Sequence, residues 1–253
     1  MRVAARIEFR ILGPVEVVED GRELPFDGKL PRTLLVRLLI HARRLRTTDQ
    51  LIDDLSGDRP PATARRSLHN LVSSLRRALG QELIQTARAG YMLAVPESRI
   101  DSWHVERLLA RSKAEPMSDQ IRPLEEGLAL WRGSPLVDVR YESFAQGEIQ
   151  RLEELHVSAL EELIEAKLEL GEPDNVVPEL KSLVAGFPFR ERLRMQLMVA
   201  LHQRGRSVEA LAAYLDWRQL LVESWGVEPG RAMEELCEDI RMNAPRREVA
   251  GRG

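Results

Sequence analysis

Residues 61–79 read PATARRSLHNLVSSLRRAL, and their periodicity decides the fold. At about 100° per residue, Ala64, Leu71, Val72, Leu75 and Leu79 fall within about 60° of Leu68, one continuous apolar stripe. The opposite face carries Arg66, Asn70, Ser73 and Arg77, with Thr63 and Ser74 beside them and Arg65, His69 and Arg76 on the flanks. No Asp or Glu occurs between Asp58 and Glu82. A helix that faces only water mixes both signs, because opposite charges at i,i+4 support it. A face of Arg, Asn, Ser and Thr without carboxylates suits phosphate oxygens and base edges instead. The spacing predicts a helix with a DNA-reading outer side; a solvated basic helix is the plain alternative, and the flanking sequence weighs between them.

Upstream, residues 7–18 (IEFRILGPVEVV) are β-branched and interrupted by Gly13-Pro14, which predicts two short strands. A third strand is expected from Arg22 to Phe26 after the Asp20-Gly21 turn. A helix follows from about Pro31 to Ala42, with Leu34, Leu35, Leu38 and Leu39 inward. The next starts on Thr48 as N-cap and stops at Gly57, and Asp58-Arg59-Pro60-Pro61 forms a turn into the basic helix. Downstream, residues 83–86 and 91–95 flank a tip bearing Arg88 and read as a hairpin. A small sheet, three helices and a terminal hairpin make a winged helix-turn-helix, in which the third helix enters the major groove and the wing reaches the neighbouring backbone or minor groove.

This front region resembles the OmpR-type winged helix of the Streptomyces antibiotic regulatory protein family. The resemblance is carried by Ile11-Leu12-Gly13-Pro14-Val15-Glu16-Val17, the TDQLIDDL run from Thr48, Pro60-Pro61-Ala62-Thr63-Ala64-Arg65, the VSSLRRALG run from Val72, and Gly90-Tyr91. Ser56 and Leu71 depart from it, standing where relatives usually carry Trp and commonly an aromatic.

From Ile100 onward the chain reads as helical, with helices at roughly 101–114, 119–132, 144–170, 173–185, 190–204, 207–225 and 230–243, and Pro and Gly at the joints. Leu163 and Leu197, Ala166 and Ala200, and Gly171 and Gly205 are each 34 residues apart, the tetratricopeptide spacing. The second copy adds Ala210 and Tyr214; the first has Val176 and Leu180 there. The LALWRGSPL run from Leu128, Arg151-Leu152-Glu153-Glu154-Leu155, the EAKLELG run from Glu165, Arg190-Glu191-Arg192-Leu193-Arg194 and the LVESWGVEPG run from Leu221 resemble the bacterial transcriptional activator domain that follows the winged helix in the same family. The expected fold is mainly α with small β: an N-terminal winged helix-turn-helix over 1–97, an all-α tetratricopeptide-like domain over 98–245, and a flexible tail over 246–253.

The totals agree with two such parts. The net charge of −3 conceals 16 Lys+Arg against 12 Asp+Glu in residues 1–97 and 21 against 28 thereafter, a basic front and an acidic back. A lone cysteine, Cys237, allows no internal disulfide and reads as a core residue, which fits a cytoplasmic protein. No apolar run is long enough for a membrane span, and the charged N-terminus is unlike a signal peptide.

No phosphate-cradling loop, His-Glu-x-x-His, Cys-x-x-Cys or Gly-x-Ser-x-Gly occurs, so no catalytic residue, metal or cofactor is expected. Glu153-Glu154 and Glu161-Glu162 read as a solvated helix face, and the four Trp as packing residues. Larger relatives append an ATPase and two-component regulators carry a receiver domain; neither is expected here.

The candidate DNA-binding residues are Arg65, Arg66, His69, Asn70, Ser73, Arg76, Arg77 and Arg88, with Arg66, Asn70 and Ser73 as base readers and Arg65, Arg76 and Arg77 as phosphate clamps. The resemblance implies an activator of an antibiotic or other secondary-metabolite gene cluster that binds double-stranded DNA at promoter direct repeats near −35, self-associates there and contacts RNA polymerase. A repressor with a ligand-sensing helical domain, or a tetratricopeptide-like adaptor, fits the residues as well.

Overall fold

A computed structural model of the chain describes residues 7–25, 28–57, 60–172 and 176–243. The expected tail, Phe26 at the end of the third strand, and Asp58-Arg59 of the expected turn lie outside the described residues. The chain groups into two compact units. One holds the residues up to Ala114 together with Pro123–Ala159; the other holds Glu115–Arg122 and the residues from Leu160 onward.

In the first unit, β1 (Ile7–Arg10), β2 (Glu16–Glu19) and β3 (Arg22–Glu23) form an antiparallel sheet in chain order. Phe9, opposite Val17, is wholly buried. Three helices follow: α1 (Lys29–Ile40), α2 (Thr48–Ser56) and α3 (Ala64–Leu79). Their expected apolar stripes form the core, with Leu34, Leu35, Leu38, Leu51, Leu68 and Leu75 fully buried; each such burial contributes about 2 kcal/mol. The wing is β5 (Ile84–Ala87) and β6 (Gly90–Leu93), and a two-residue strand, β4 (Arg46–Thr47), pairs with the other side of β6 to give the order β4-β6-β5.

One strand goes unannounced in the sequence, and one local expectation shifts. β4 has no alternating pattern to announce it, because two residues are too few to show one. The cap of α2 is Thr47, not Thr48: Thr47 Oγ1 accepts from Gln50 N at 3.2 Å while Gln50 Oε1 accepts from Thr47 N at 3.1 Å. This is the reciprocal capping box that Thr-x-x-Gln spells.

Two sequence blocks that are far apart in the chain meet in this unit. The β1–β2 loop takes backbone bonds from the segment after the helix α5 (Met117–Leu128): Arg132 N donates to Leu12 O at 2.7 Å and Leu136 N to Ile11 O at 3.0 Å. A Cβ on Gly13 would stand 3.0 Å from Arg132 Cβ. Asp101, the first residue of α4 (Asp101–Ser112), accepts from Ile11 N at 2.9 Å and Leu12 N at 3.2 Å. Burial pushes its carboxyl pKa up, opposed by those N–H groups and by Arg132. Arg32 and Val15 N both bind Asp138.

His41, just past α1, has its Nε2 3.0 Å from Arg37 Nη1. Burial, then Arg46, Arg37 and Arg44, lower its pKa from 6.5 to about 4. Between those values the unfolded chain binds more protons than the folded one, so stability rises with pH through that window and is lost as pH falls through it. Melting temperatures measured from pH 7 down to pH 4.5 are expected to fall, and to fall less steeply in His41→Gln. Equal slopes in the two proteins would place the acid sensitivity elsewhere, His156 being the other histidine that burial pushes down.

The second unit contains the end of α6 (Gln146–Glu169), then α7 (Val176–Gly186), α8 (Glu191–Gln203), α9 (Ser207–Trp225) and α10 (Arg231–Asn243), each packed on the next from α7 onward. The 34-residue spacing is a structural repeat. Gly171 at φ +75° and Gly205 at φ +72° both end a helix in the left-handed region. Each is followed by the same closing bond, Glu172 N to Lys167 O and Arg206 N to Leu201 O, both 2.9 Å. Ala166, Ala200 and Ala210 are fully buried at the close helix contacts. Cys237 is buried, as expected.

Two expectations fail here. Glu161 is not on a solvated face: it is 2% exposed and accepts from Arg190 Nε at 2.7 Å and Nη2 at 3.1 Å. Trp225 is not a packing residue of the interior, being 67% exposed with its ring edge-on to Phe189. Both sit in charged or amphipathic helices whose inward faces sequence periodicity alone leaves ambiguous.

Candidate nucleic-acid interface

α3 buries Ala64, Leu68, Val72, Leu75 and Leu79 and leaves Arg65, Arg66, His69, Asn70, Ser73 and Arg77 exposed. Its first turn has no acidic residue and no side-chain cap. Arg65 and Arg66 put positive charge at the positive end of the helix dipole, an arrangement that costs helix stability. The sequence therefore keeps cations where local folding disfavours them. Among the described residues, Arg65 is the one cation of this face with an acid partner, Asp49 of α2 at 3.0 Å, and both side chains are more than half exposed, so the pair holds it loosely. Among the described residues, the side chains of Arg66, Asn70, Arg77 and Arg88 have no hydrogen-bond or ion-pair partner.

Ser73 and Arg76 are engaged within the protein. Ser73 Oγ donates to His69 O at 2.9 Å. Arg76, half-buried, donates to Ile84 O through Nε at 3.0 Å and Nη2 at 2.7 Å, and Nη2 also reaches Thr86 Oγ1 at 2.6 Å. Arg76 thus ties the helix to the first wing strand. His69 makes the second tie, with Nδ1 2.9 Å from the hydroxyl of Tyr91 on β6.

The wing is fixed at its other edge too. Thr48 N, at the start of α2, donates to Ala89 O at 2.9 Å, next to Arg88 in the exposed two-residue turn between β5 and β6. Tyr91 and Gly90 belong to this assembly and are absent from the sequence-derived set, although both lie in the Gly-Tyr pair that carries the family resemblance. The signal was there in Gly90: a Cβ on it would stand 1.9 Å from Arg46 O, so only glycine lets β4 and β6 pair.

Six of the eight sequence-derived residues lie on one surface of α3, with Arg76 at its edge and Arg88 at the wing tip. The arrangement supplies donors in an acid-free strip along a helix, and a cation on a projecting turn. Among the described residues no three His, Cys, Asp or Glu side chains gather as metal ligands, and no helix is long and apolar enough to cross a membrane.

Comparison with known proteins identifies the family. Residues 29–93 match the family described as transcriptional regulatory protein, C terminal, and residues 100–241 match the bacterial transcriptional activator domain. Regulatory protein AfsR of Streptomyces griseus is 35% identical over 241 residues, covering 94% of this chain; the chain spans only a quarter of that relative (25%). Regulatory protein DnrI of Streptomyces peucetius is 32% identical, with 92% of each chain covered. The solved structure of Mycobacterium tuberculosis EmbR in complex with a low affinity phosphopeptide superposes with a TM-score of 0.89 at 30% identity, over 96% of this chain and 66% of that one. The chain belongs to the Streptomyces antibiotic regulatory protein family of transcriptional regulators, which joins an OmpR-type winged helix to a bacterial transcriptional activator domain.

Proposed function

We propose that this protein activates transcription of a secondary-metabolite gene cluster by seating α3 in the major groove of promoter direct repeats near −35. The observation that carries the reading is the set of exposed, unpartnered Arg66, Asn70, Arg77 and Arg88 on an acid-free strip and wing tip. Arg66 reads guanine through O6 and N7, and Asn70 reads adenine through N6 and N7. Arg65 and Arg77 clamp phosphates, and Arg88 takes the backbone or minor groove beside the wing. Arg76 contributes mainly by holding the wing to the helix, with Nη1 left for a phosphate. In this reading residues 1–97 bind DNA and 98–245 present a surface to RNA polymerase, copies associating on adjacent repeats. The description of the matched helical region as a bacterial transcriptional activator domain supports activation over repression.

Gel shifts with promoter fragments from the gene's own neighbourhood, paired with a reporter driven by the same fragments, test this. Expected results are a shifted complex, higher reporter output with the protein than without, and loss of output when half a helical turn is inserted between repeats. Binding with lower output would make the protein a repressor. For Arg77→Ala, binding should weaken about equally on all sequences and the salt slope should become shallower by about one. An unchanged slope would remove Arg77 from the phosphate contacts.

A further inference from the structure

Tyr91 is 4% exposed and held on both edges, paired in β6 with Arg46 of β4 and Thr86 of β5. Its ring meets that of His69 edge-on, with centroids 6.1 Å apart and planes at 82°. Its phenolic oxygen lies 2.9 Å from His69 Nδ1. A buried phenol with a single partner directs its proton to that partner, since accepting instead leaves the hydroxyl hydrogen orphaned. A neutral imidazole carries one proton, so with Nδ1 accepting, the proton resides on Nε2. Ser73, one turn further on, donates its hydroxyl to the His69 backbone carbonyl and leaves the ring alone.

We propose that Tyr91 is a positioning residue that locks His69 in the Nε2–H form, so that His69 presents a donor to DNA and selects an acceptor atom at one point of the site. Purine N7, guanine O6, thymine O4 and phosphate oxygens satisfy such a donor; the exocyclic amino groups of adenine and cytosine do not. Asn70 beside it carries both a donor and an acceptor and tolerates either, so the histidine adds a donor-only contact beside an ambivalent one, as Arg66 does elsewhere on the strip. The proposal rests on the reading of α3 as the DNA-facing helix.

The test uses the full chain and a duplex enriched from a randomised library by the wild-type protein. Long-range proton–nitrogen correlation spectra of the free protein read the tautomer. The wild type is expected to show a bare Nδ1 and a protonated Nε2, and Tyr91→Phe, which keeps the ring and its packing, a mixture of both forms. On the enriched duplex, Tyr91→Phe should weaken binding about fivefold, as for one neutral hydrogen bond, and should cost nothing more in a His69→Ala background. Scanning the duplex with acceptor-deleted bases and with methylphosphonates should find one position at which the His69 contribution vanishes, and tells base edge from backbone. A wild-type proton on Nδ1, a Tyr91→Phe loss of equal size with and without His69, or no such position overturns the proposal, the tyrosine then serving only to brace the wing. If the wild type enriches no duplex, the DNA-reading assignment of α3 itself fails, and the spectra of the free protein still report which ring nitrogen carries the proton.

Discussion

Gly90→Ala is expected to abolish specific DNA binding while leaving the helices of the second unit folded. A Cβ there stands 1.9 Å from Arg46 O, 2.8 Å from Arg46 C and 2.8 Å from Thr47 Cα, all of them backbone atoms. Backbone cannot rotate aside as a flexible side chain can, so β4 and β6 must separate. That breaks the Arg46–Tyr91 and Thr47–Gly90 pairings and the bond from Thr48 N to Ala89 O. Overpacking of this kind costs about 3 kcal/mol, or roughly 10 °C in melting temperature. The functional loss exceeds the loss of stability, because Tyr91, Arg76 and the Arg88 turn are all placed by this sheet. Gly147→Ala is the control: that glycine lies in α6 with nothing within 4 Å of a Cβ, so alanine there should be neutral or mildly stabilising. A Gly90→Ala protein that melts and binds like wild type would mean that β4 does not pair with β6 as described.

Arg190→Ala should produce the largest loss of stability in the second unit. Glu161 is wholly shielded in α6, and both its carboxylate oxygens accept from the Arg190 guanidinium, with Arg192 Nη1 3.8 Å away. Gln196 Nε2 binds the Glu161 carbonyl at 2.8 Å and Glu165 Oε2 at 2.7 Å, so α8 is registered against α6 by one polar cluster. Removing the arginine strands a buried carboxylate, at about 3–5 kcal/mol. Removing both charges together, in Arg190→Met with Glu161→Leu, should recover most of that loss, since an apolar pair does not require desolvating ions. Thermal denaturation of the single and double variants checks both statements. A single variant as stable as wild type would show that the carboxylate finds water or another donor. DNA affinity of the intact chain is expected to change little in either variant below its melting temperature.

Much of this fold is legible in the sequence because its signals are periodic. The Leu68, Val72, Leu75 stripe of α3 and the Leu34, Leu35, Leu38 stripe of α1 are written at helical spacing, and the same residues are buried. The 34-residue repeat is legible down to its closing bonds, because a left-handed helix end selects glycine at both Gly171 and Gly205. The candidate interface is legible as a class of surface, since an absence of carboxylates over a whole helix shows in one dimension. What escapes is whatever depends on two distant segments meeting. The side chain of Arg76 reads as one more phosphate contact until β5 is seen to occupy it. Glu161 reads as solvated because its partner is 29 residues away. Leu12 and Arg132 lie in two of the family's signature blocks, and nothing in either block announces that they bond to each other. Tyr91 reads as a wing residue, and its hold on His69 requires the hairpin to fold back on the helix.

Sequencing the duplexes enriched from a randomised library by the wild type and by Arg66→Ala tests whether α3 reads the bases. The wild type is expected to yield a defined repeat with a guanine that Arg66→Ala no longer prefers, at about 2 kcal/mol of lost discrimination, with every other position unchanged. Identical sequence preferences in the two proteins would mean that α3 is not the element that reads DNA through Arg66.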